Sequence, residues 1–481
     1  MTVGGVIVSG GRTSRGDRAD GAKGWRLTSA HTAAVAAGVL LLALGVLTGR
    51  PDVALVGVPG LLAAAWGRSA RPGGTGAPAA RTSMDDDGDP RGTLHEPEGT
   101  AAPGELTATL RLTTPPHAAD VVHLRISAAG HRTTEVALAA RPLSAPPTSE
   151  QARPVRDVPL RLSSVRTGPQ ETFAIDVRGS LHAVWEQEPT QVGGTRRLVL
   201  PAAAPLGRLP LPRRLRGLTG PHSARRLGDG AELRDIHPFT PGDRLRRIDW
   251  RTTARRSPDL DTLYVRRTYA TAEATAMLVV DSRDDVGPDL RTWRGYGTLR
   301  VDEPTSLDLA RHAAASVARA LVEAGDRVGM EDLARRRRPL PPASGRRHLR
   351  RVLHGLALAH PTQRASVHRV RPPQVPADAI VYLFSTVLDD EPLHLVRTWR
   401  AKGHPVVLVD TLPDVHRATA SHLRIAWRIA RMEREDRIDA LAGEGVPVVR
   451  WAGSERDKAA VRFEALARAA ERHVPGRTGA P

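Results

Sequence analysis

From Ala30 to Thr48 the chain carries no charged residue, with His31 near the start of the run. A helix of roughly 19 apolar residues can cross the ~30 Å hydrocarbon core of a bilayer. Lipid admits only helices or closed barrels, so this run constrains the fold more than any other. After the break Gly49-Arg50-Pro51-Asp52 comes a second apolar run, Val53 to Trp66, shorter and interrupted by Pro59. The Gly/Pro break between the two predicts a transmembrane helical hairpin over 28–67, with Trp66 at an interface. A cleaved signal peptide would share the basic start and the first apolar run, but the second run argues against one. Arg12, Arg15, Arg18, Lys23 and Arg26 precede the hairpin, and Arg68, Arg71 and Arg81 follow it. Basic flanks favour the cytoplasmic side. The expectation is a multi-pass protein of the cell membrane with the bulk of the chain cytoplasmic.

A chain of 481 residues has room for two or three domains besides such a hairpin. It has no cysteine, which excludes disulfides, cysteine-ligated zinc and thiol nucleophiles. The net charge is +18, carried almost wholly by arginine, since lysine occurs only at 23, 402 and 458. Such a balance can serve nucleic acid or an anionic surface. Aromatic residues make up only 3% and no helix-turn-helix, zinc-finger or RNA-recognition pattern is present, so nucleic-acid binding is not expected.

Residues 1–27 read as a basic tail without fixed structure, and 68–104 as a Pro/Gly/Ala linker with an acidic patch from Asp85 to Asp89 that lacks the later glutamate of an EF-hand. Over 105–200 six short alternating runs, beginning at Leu106, Asp120, Thr134, Val158, Phe173 and Arg196, predict a small all-β sandwich. A Pro/Leu/Arg connector occupies 201–227. From 228 to 481 strands and helices alternate as in an open α/β sheet: strands at 276–280, 327–330, 379–384, 405–409 and 446–449, and helices at 306–324, 348–358, 392–402, 418–442 and 455–473. The fold class is therefore multidomain: hairpin, β-sandwich, α/β sheet.

The stretch Arg234–Arg255 is the most specific in the chain. Pro241-Gly242 makes a turn and Asp243 can bond back to it. Ile248 and Trp250 alternate with Arg247, Asp249 and Arg251, as in a half-buried extended segment, yet Leu245, Ile248 and Thr252 also fit a short helix. Asp243 and Asp249 are expected to act as internal counter-charges that lock the segment down, with Trp250 in the core. The surplus arginines remain for a partner or an anion.

These residues resemble the bacterial family known as domain of unknown function 58. Pro241, Gly242, Asp243, Arg247, Ile248, Asp249, Trp250, Arg251, Ala254 and Arg255 carry the likeness, and His237 departs from it, standing where many members have an aromatic residue or arginine. The resemblance extends from near Gly228 to the C-terminus. It implies a von Willebrand factor A-like domain, a membrane-anchored protein and a MoxR-type AAA+ ATPase as partner.

Von Willebrand factor A domains hold Mg²⁺ on an Asp-x-Ser-x-Ser loop after the first strand. Here the loop is Asp281-Ser282-Arg283-Asp284-Asp285. A site from Asp281, Asp285 and Ser385 is degenerate because Arg283 can fold back onto Asp281 or Asp285, so no cofactor is expected, with Mg²⁺ the weak alternative. Asp410 ends another strand on the same side. The function expected is that of a non-enzymatic protein-interaction module. A metal-dependent or hydrolytic enzyme is the first alternative, although no nucleophile elbow, zinc helix or phosphate loop is present. Binding to anionic lipid or polymer through the N-terminal arginines and Arg335–Arg338 is the second.

Overall fold

The computed structural model describes residues 25–69, 91–95, 102–113, 119–140, 155–194, 196–212, 214–215, 220–294, 299–334, 339–361, 372–453 and 455–472. The tail before Trp25, the acidic patch Asp85–Asp89, the basic loop Arg335–Arg338 and the side chain of Trp66 lie outside the described residues.

The chain enters as a short strand, β1 (Trp25–Leu27), then forms α1 (Ser29–Leu47) and α2 (Pro51–Ser69). Thr28 caps α1 by accepting the His31 N–H. The helices pack antiparallel through glycines: a Cβ on Gly38 would sit 2.6 Å from the Gly60 Cα, and one on Gly45 2.7 Å from the Ala54 Cα. Large residues such as Leu40, Leu47, Leu55 and Leu62 point outward. Small residues inside and large apolar ones outside is the arrangement of helices packed in lipid, where close backbone approach replaces a hydrophobic driving force. Among the described residues α1 alone is long and apolar enough to cross a membrane, whereas α2 carries Asp52 in its first turn and Pro59 inside it and is less apolar. The expectation of two full spans is corrected to that extent.

Ten strands follow: β2 (Arg91–His95), β3 (Glu105–Thr113), β4 (Val121–Ala128), β5 (Thr134–Ala139), β6 (Val155–Ser163), β7 (Gly168–Glu171), β8 (Phe173–Leu181), β9 (Trp185–Gln187), β10 (Thr190–Val192) and β11 (Arg196–Val199). One sheet has the order β1-β9-β8-β4-β5, with β10 also on β8, and another the order β2-β3-β6. Their inward residues, among them Leu110, Leu124, Ile175 and Val177, share one core. All six expected strands are present. Two corrections concern their neighbours: Trp25–Leu27 belongs to the sheet and not to a structureless tail, and Arg91–His95 is a strand and not linker.

The two ends of this sandwich have different neighbours. At one end the hairpin is attached, where Thr28 donates its N–H to the Val184 carbonyl at 2.8 Å and its hydroxyl to the Ala183 carbonyl at 3.0 Å. At the other, the loop before β7 docks on the last domain. The Asp308 carboxylate accepts the Thr167 N–H and hydroxyl at 2.8 and 2.7 Å and pairs with Arg166 at 3.1 Å, while Arg311 bonds the Thr167 carbonyl at 2.9 Å. Val121 pairs with Ser180 near the hairpin and Ala128 with Phe173 near the dock, so β4 separates them by roughly 23 Å.

Beyond the connector, β12 (His222–Pro238) and β13 (Tyr264–Ala272) form a two-stranded antiparallel ribbon, with α3 (Trp250–Arg256) in its tip. The connector itself is not a passive tether: Leu209 is buried in the core of the last domain and the Pro210 carbonyl accepts the Tyr382 hydroxyl at 2.6 Å.

That domain comprises β14 (Thr275–Val280), α4 (Ser306–Glu323), β15 (Arg327–Asp332), β16 (Leu340–Ala343), α5 (Arg346–Leu358), β17 (Ile380–Ser385), α6 (Glu391–Ala401), β18 (Val406–Asp410), α7 (Ser421–Gly443), β19 (Val448–Arg450) and α8 (Glu455–Arg472). The sheet order is β16-β15-β14-β17-β18-β19, parallel except for β16. α4, α5 and α8 cover one face and α6 and α7 the other, which is why the central strands are apolar throughout. The winding direction reverses between β14 and β17. Open sheets of this kind bind ligands beyond the carboxyl ends of the strands at such a reversal.

Candidate functional site

Asp281 and Ser385 stand at the carboxyl ends of β14 and β17, at the reversal. The Ser385 hydroxyl donates to the Asp281 carboxylate at 2.8 Å. Arg283 fills the space beside them: Nε bonds Asp281 at 2.8 Å, NH1 bonds Asp389 at 2.7 Å, and NH2 reaches both carboxylates at 2.9 and 3.0 Å. Burial works against the guanidinium charge, but the bonds to Asp281 and then Asp389 outweigh it and raise its pKa above the ordinary arginine value. Ser282 turns the other way and donates to Asp332.

Asp285 does not join Asp281 and Ser385, which corrects the three-residue grouping. It is directed toward the dock against the sandwich, where burial raises its carboxyl pKa, the bond from Thr305 moderates the rise and the charge of Asp308 adds to it. Arg283 accordingly pairs with Asp281 and Asp389, not with Asp285. These residues do not fit Mg²⁺. A hard octahedral cation wants several oxygens on a tight turn, and a fixed guanidinium occupies the position between Asp281 and Asp389. Among the described residues no group of three or more His, Asp or Glu side chains is arranged to hold a metal. Asp284 is left on the rim. Burial, then the charges of Asp281 and Asp389, push its carboxyl up to about 6. Asp410, at the end of β18, is likewise neutralised, by Arg434 from α7.

The signature segment lies elsewhere, at the ribbon tip. Tyr264 at the tip and Ala272 at the base put it roughly 26 Å from the sheet. Pro241 and Gly242 form the turn, with Gly242 at φ 104°. The Asp243 carboxylate closes it by accepting the Thr240 N–H at 2.9 Å and hydroxyl at 2.8 Å, and these bonds hold its pKa below the usual carboxylate value. Ile248 bridges Val265 in extended form, and helix begins at the next residue but one. Asp249 caps it, accepting the Thr252 N–H at 2.9 Å, so both local conformations occur in succession. Thr253 is buried beneath, its hydroxyl oxygen accepting the Tyr264 N–H at 2.9 Å.

The ion pairs differ from those expected. Asp243 faces Arg267 of β13 at 3.4 Å and His237 at 3.4 Å, and Asp249 faces Arg266 of β13 at 3.8 Å, so the arginine partner of each acid comes from β13 rather than from the segment itself. The arginines Arg244, Arg246 and Arg247 converge instead on Asp229 of β12. Trp250 is the clearest correction. It is 61% exposed, not core, and Leu245 is 68% exposed. Capping explains this: with Asp249 as N-cap, Trp250 takes the first helical position and Thr253, three residues on, takes the inner face. Arg251, Ala254 and Arg255 are exposed, and neither arginine has an ion-pair partner among the described residues. Sequence reasoning missed Asp229, a single acid with no motif around it, and noted Asp389 after the strand that ends at Ser385 without assigning it to Arg283.

Residues 235–417 match the model of the family described as protein of unknown function DUF58. That span includes the signature segment from Asp235 on and the sheet as far as β18, and it supports the family resemblance drawn from Pro241 to Arg255. No curated protein and no solved structure matches the chain.

Proposed function

We propose that the chain is a membrane-anchored interaction module that docks a protein partner, by family resemblance a MoxR-type AAA+ ATPase, through the ribbon tip. The observation that carries this is Trp250, exposed beside Leu245, Arg251 and Arg255 on a segment held rigid by its own caps and ion pairs. Exposed tryptophan and arginine on a preordered surface are the residues that concentrate binding energy in interfaces. Their positive charge suits an acidic docking face.

In this reading the last domain is von Willebrand factor A-like with a degenerate ion site, and α1 crosses the membrane with α2 packed along it. The pairing of β1 with β9 supports a hairpin that returns to the side it entered from, because residues before α1 and after α2 belong to one folded body. The basic flanks favour the cytoplasm for that body. A reporter fused after Pro481 that is active only outside the cytoplasm would disprove this orientation. For docking, the full chain in detergent is titrated with a purified MoxR-type ATPase. Binding weakened at least tenfold by Trp250→Ala, in a variant with an unchanged melting temperature, supports the proposal, and equal binding refutes it.

A further inference from the structure

Arg434 of α7 meets Asp410 and the Thr386 carbonyl at the carboxyl edge of the sheet, so the helix N-terminal to it runs on past that edge. Its inner side is occupied: Trp427 packs edge-on against Trp293 with ring centroids 5.4 Å apart, and Ile438 and Leu441 are buried. The opposite side carries Ile425, Ile429 and Met432, which are 62%, 53% and 54% exposed. Three large apolar residues at i, i+4 and i+7, facing directly away from the domain, form a stripe that nothing in the described chain covers.

Charge along α7 is divided. Residues 421–432 include Arg424, Arg428 and Arg431 and no acid, whereas Glu433, Glu435, Asp436 and Asp439 follow, the two arginines among them, Arg434 and Arg437, being turned to Asp410 and Asp390. Arg424, Arg428, Glu435 and Asp439 share one flank of the stripe by helical spacing. Among the described residues Arg424, Arg428 and Asp439 form no ion pair, and Glu435 meets only Arg431 of its own helix, at 3.5 Å. A helix that is basic then acidic on one flank is complementary to its own reverse.

We propose that α7 is a self-association surface, pairing antiparallel with α7 of a second copy of this chain across a two-fold axis between Arg431 and Met432. That one axis brings Arg424 opposite Asp439 and Arg428 opposite Glu435, each pair occurring twice by symmetry. It also places the two Met432 side chains against each other and lays Ile425 between Asp436 and Ala440 of the second copy. A bilayer is the less suitable occupant, because α7 belongs to the domain at the end of the sandwich away from the hairpin. The ribbon tip, reached from the opposite edge of the sheet, is separate, so this pairing is independent of docking there. One helix pair buries less than the ~1,200 Å² of a standard interface, which makes the contact modest and open to disruption by charge.

The lack of native cysteine gives a direct test in the full chain, in detergent. Met432→Cys lies beside the two-fold and should yield a disulfide-linked dimer under mild oxidation, whereas Val461→Cys, still more exposed on α8, should not. Arg428→Glu and Glu435→Arg, each in the Met432→Cys background, should lower the crosslinked fraction and weaken the dimer roughly tenfold by sedimentation, since each reverses two symmetry-related pairs. The two reversals together should restore both. A chain that stays monomeric, crosslinking equal at Val461→Cys, or charge reversals without mutual rescue would overturn the proposal. So would loss of binding to anionic vesicles, with no change in mass, on Ile429→Glu.

Discussion

Arginine and aspartate are used in opposite ways at the sheet edge and at the ribbon tip. At the edge, Arg283 is almost wholly enclosed, and its donors are divided between two carboxylates. At the tip, Asp229 alone answers three arginines, and Arg251 and Arg255 are left over in solvent. Burial decides what each arrangement can do. An enclosed ion pair that loses a partner strands a charge, so the edge is committed to its structure. Exposed pairs are individually weak, so the tip can exchange them for a partner's acids at little cost.

The largest expected effect breaks the edge. Arg283→Ala leaves Asp281 buried without its cation and should destabilise the protein by about 3–5 kcal/mol, read as a fall in thermal midpoint. Millimolar Mg²⁺ should leave the wild-type midpoint unchanged. In Arg283→Ser it should recover part of the loss, because Asp281, Asp389 and Ser385 then present oxygen to a vacant space. A saturable rise in the wild type that Asp281→Ala abolishes would show that the guanidinium does not exclude the ion.

Asp284 gives the next effect. Its folded pKa of about 6 lies above its ordinary 3.8, so the folded state binds the proton more tightly. The stability this confers is complete below about pH 4 and is lost as pH rises through 6. Asp284→Asn should flatten that slope and stabilise the protein at pH 8 by about 3 kcal/mol. Equal slopes for wild type and variant in urea titrations between pH 4 and 8 would assign the pH dependence elsewhere.

At the tip the effects should be smaller. Thr253→Val removes the acceptor of the Tyr264 N–H and should cost about 1–2 kcal/mol, visible as faster amide exchange in α3 and β13. Trp250→Ala should change stability by less than about 0.5 kcal/mol, because the ring is already in water. A loss several times larger would return the tryptophan to the core and cancel the contrast between the two regions.

Where periodicity governs, the fold was legible in the sequence. The apolar run of α1, the alternation of β3 and β8 and the unbroken apolar strands β14 and β17 each state their environment within a few residues. Arg283 was legible too, as a cation in a loop built for oxygen. What escaped depends on contacts remote in sequence or on a one-residue phase. Trp25–Leu27 is too short to show a period and becomes a strand only through β9. Asp229 is identified only by where the chain returns with Arg244, Arg246 and Arg247. Trp250 was misplaced because alternation with Ile248 suggests a shared face, and the cap at Asp249 changes the period between them.

The partnership of β1 with β9 has a consequence for biogenesis. Arg26 meets Glu188 across 162 positions of sequence, with the hairpin and most of the sandwich lying between them. Under the membrane anchoring proposed above, a chain made from its N-terminus exposes α1 to the membrane long before the ribosome has produced the strand on which β1 must zip. On that proposal insertion precedes closure of the sheet, and the edge of β9 waits for a segment already tethered at the bilayer. Such long-range pairing is slow to form, but the tether confines the search to the membrane surface.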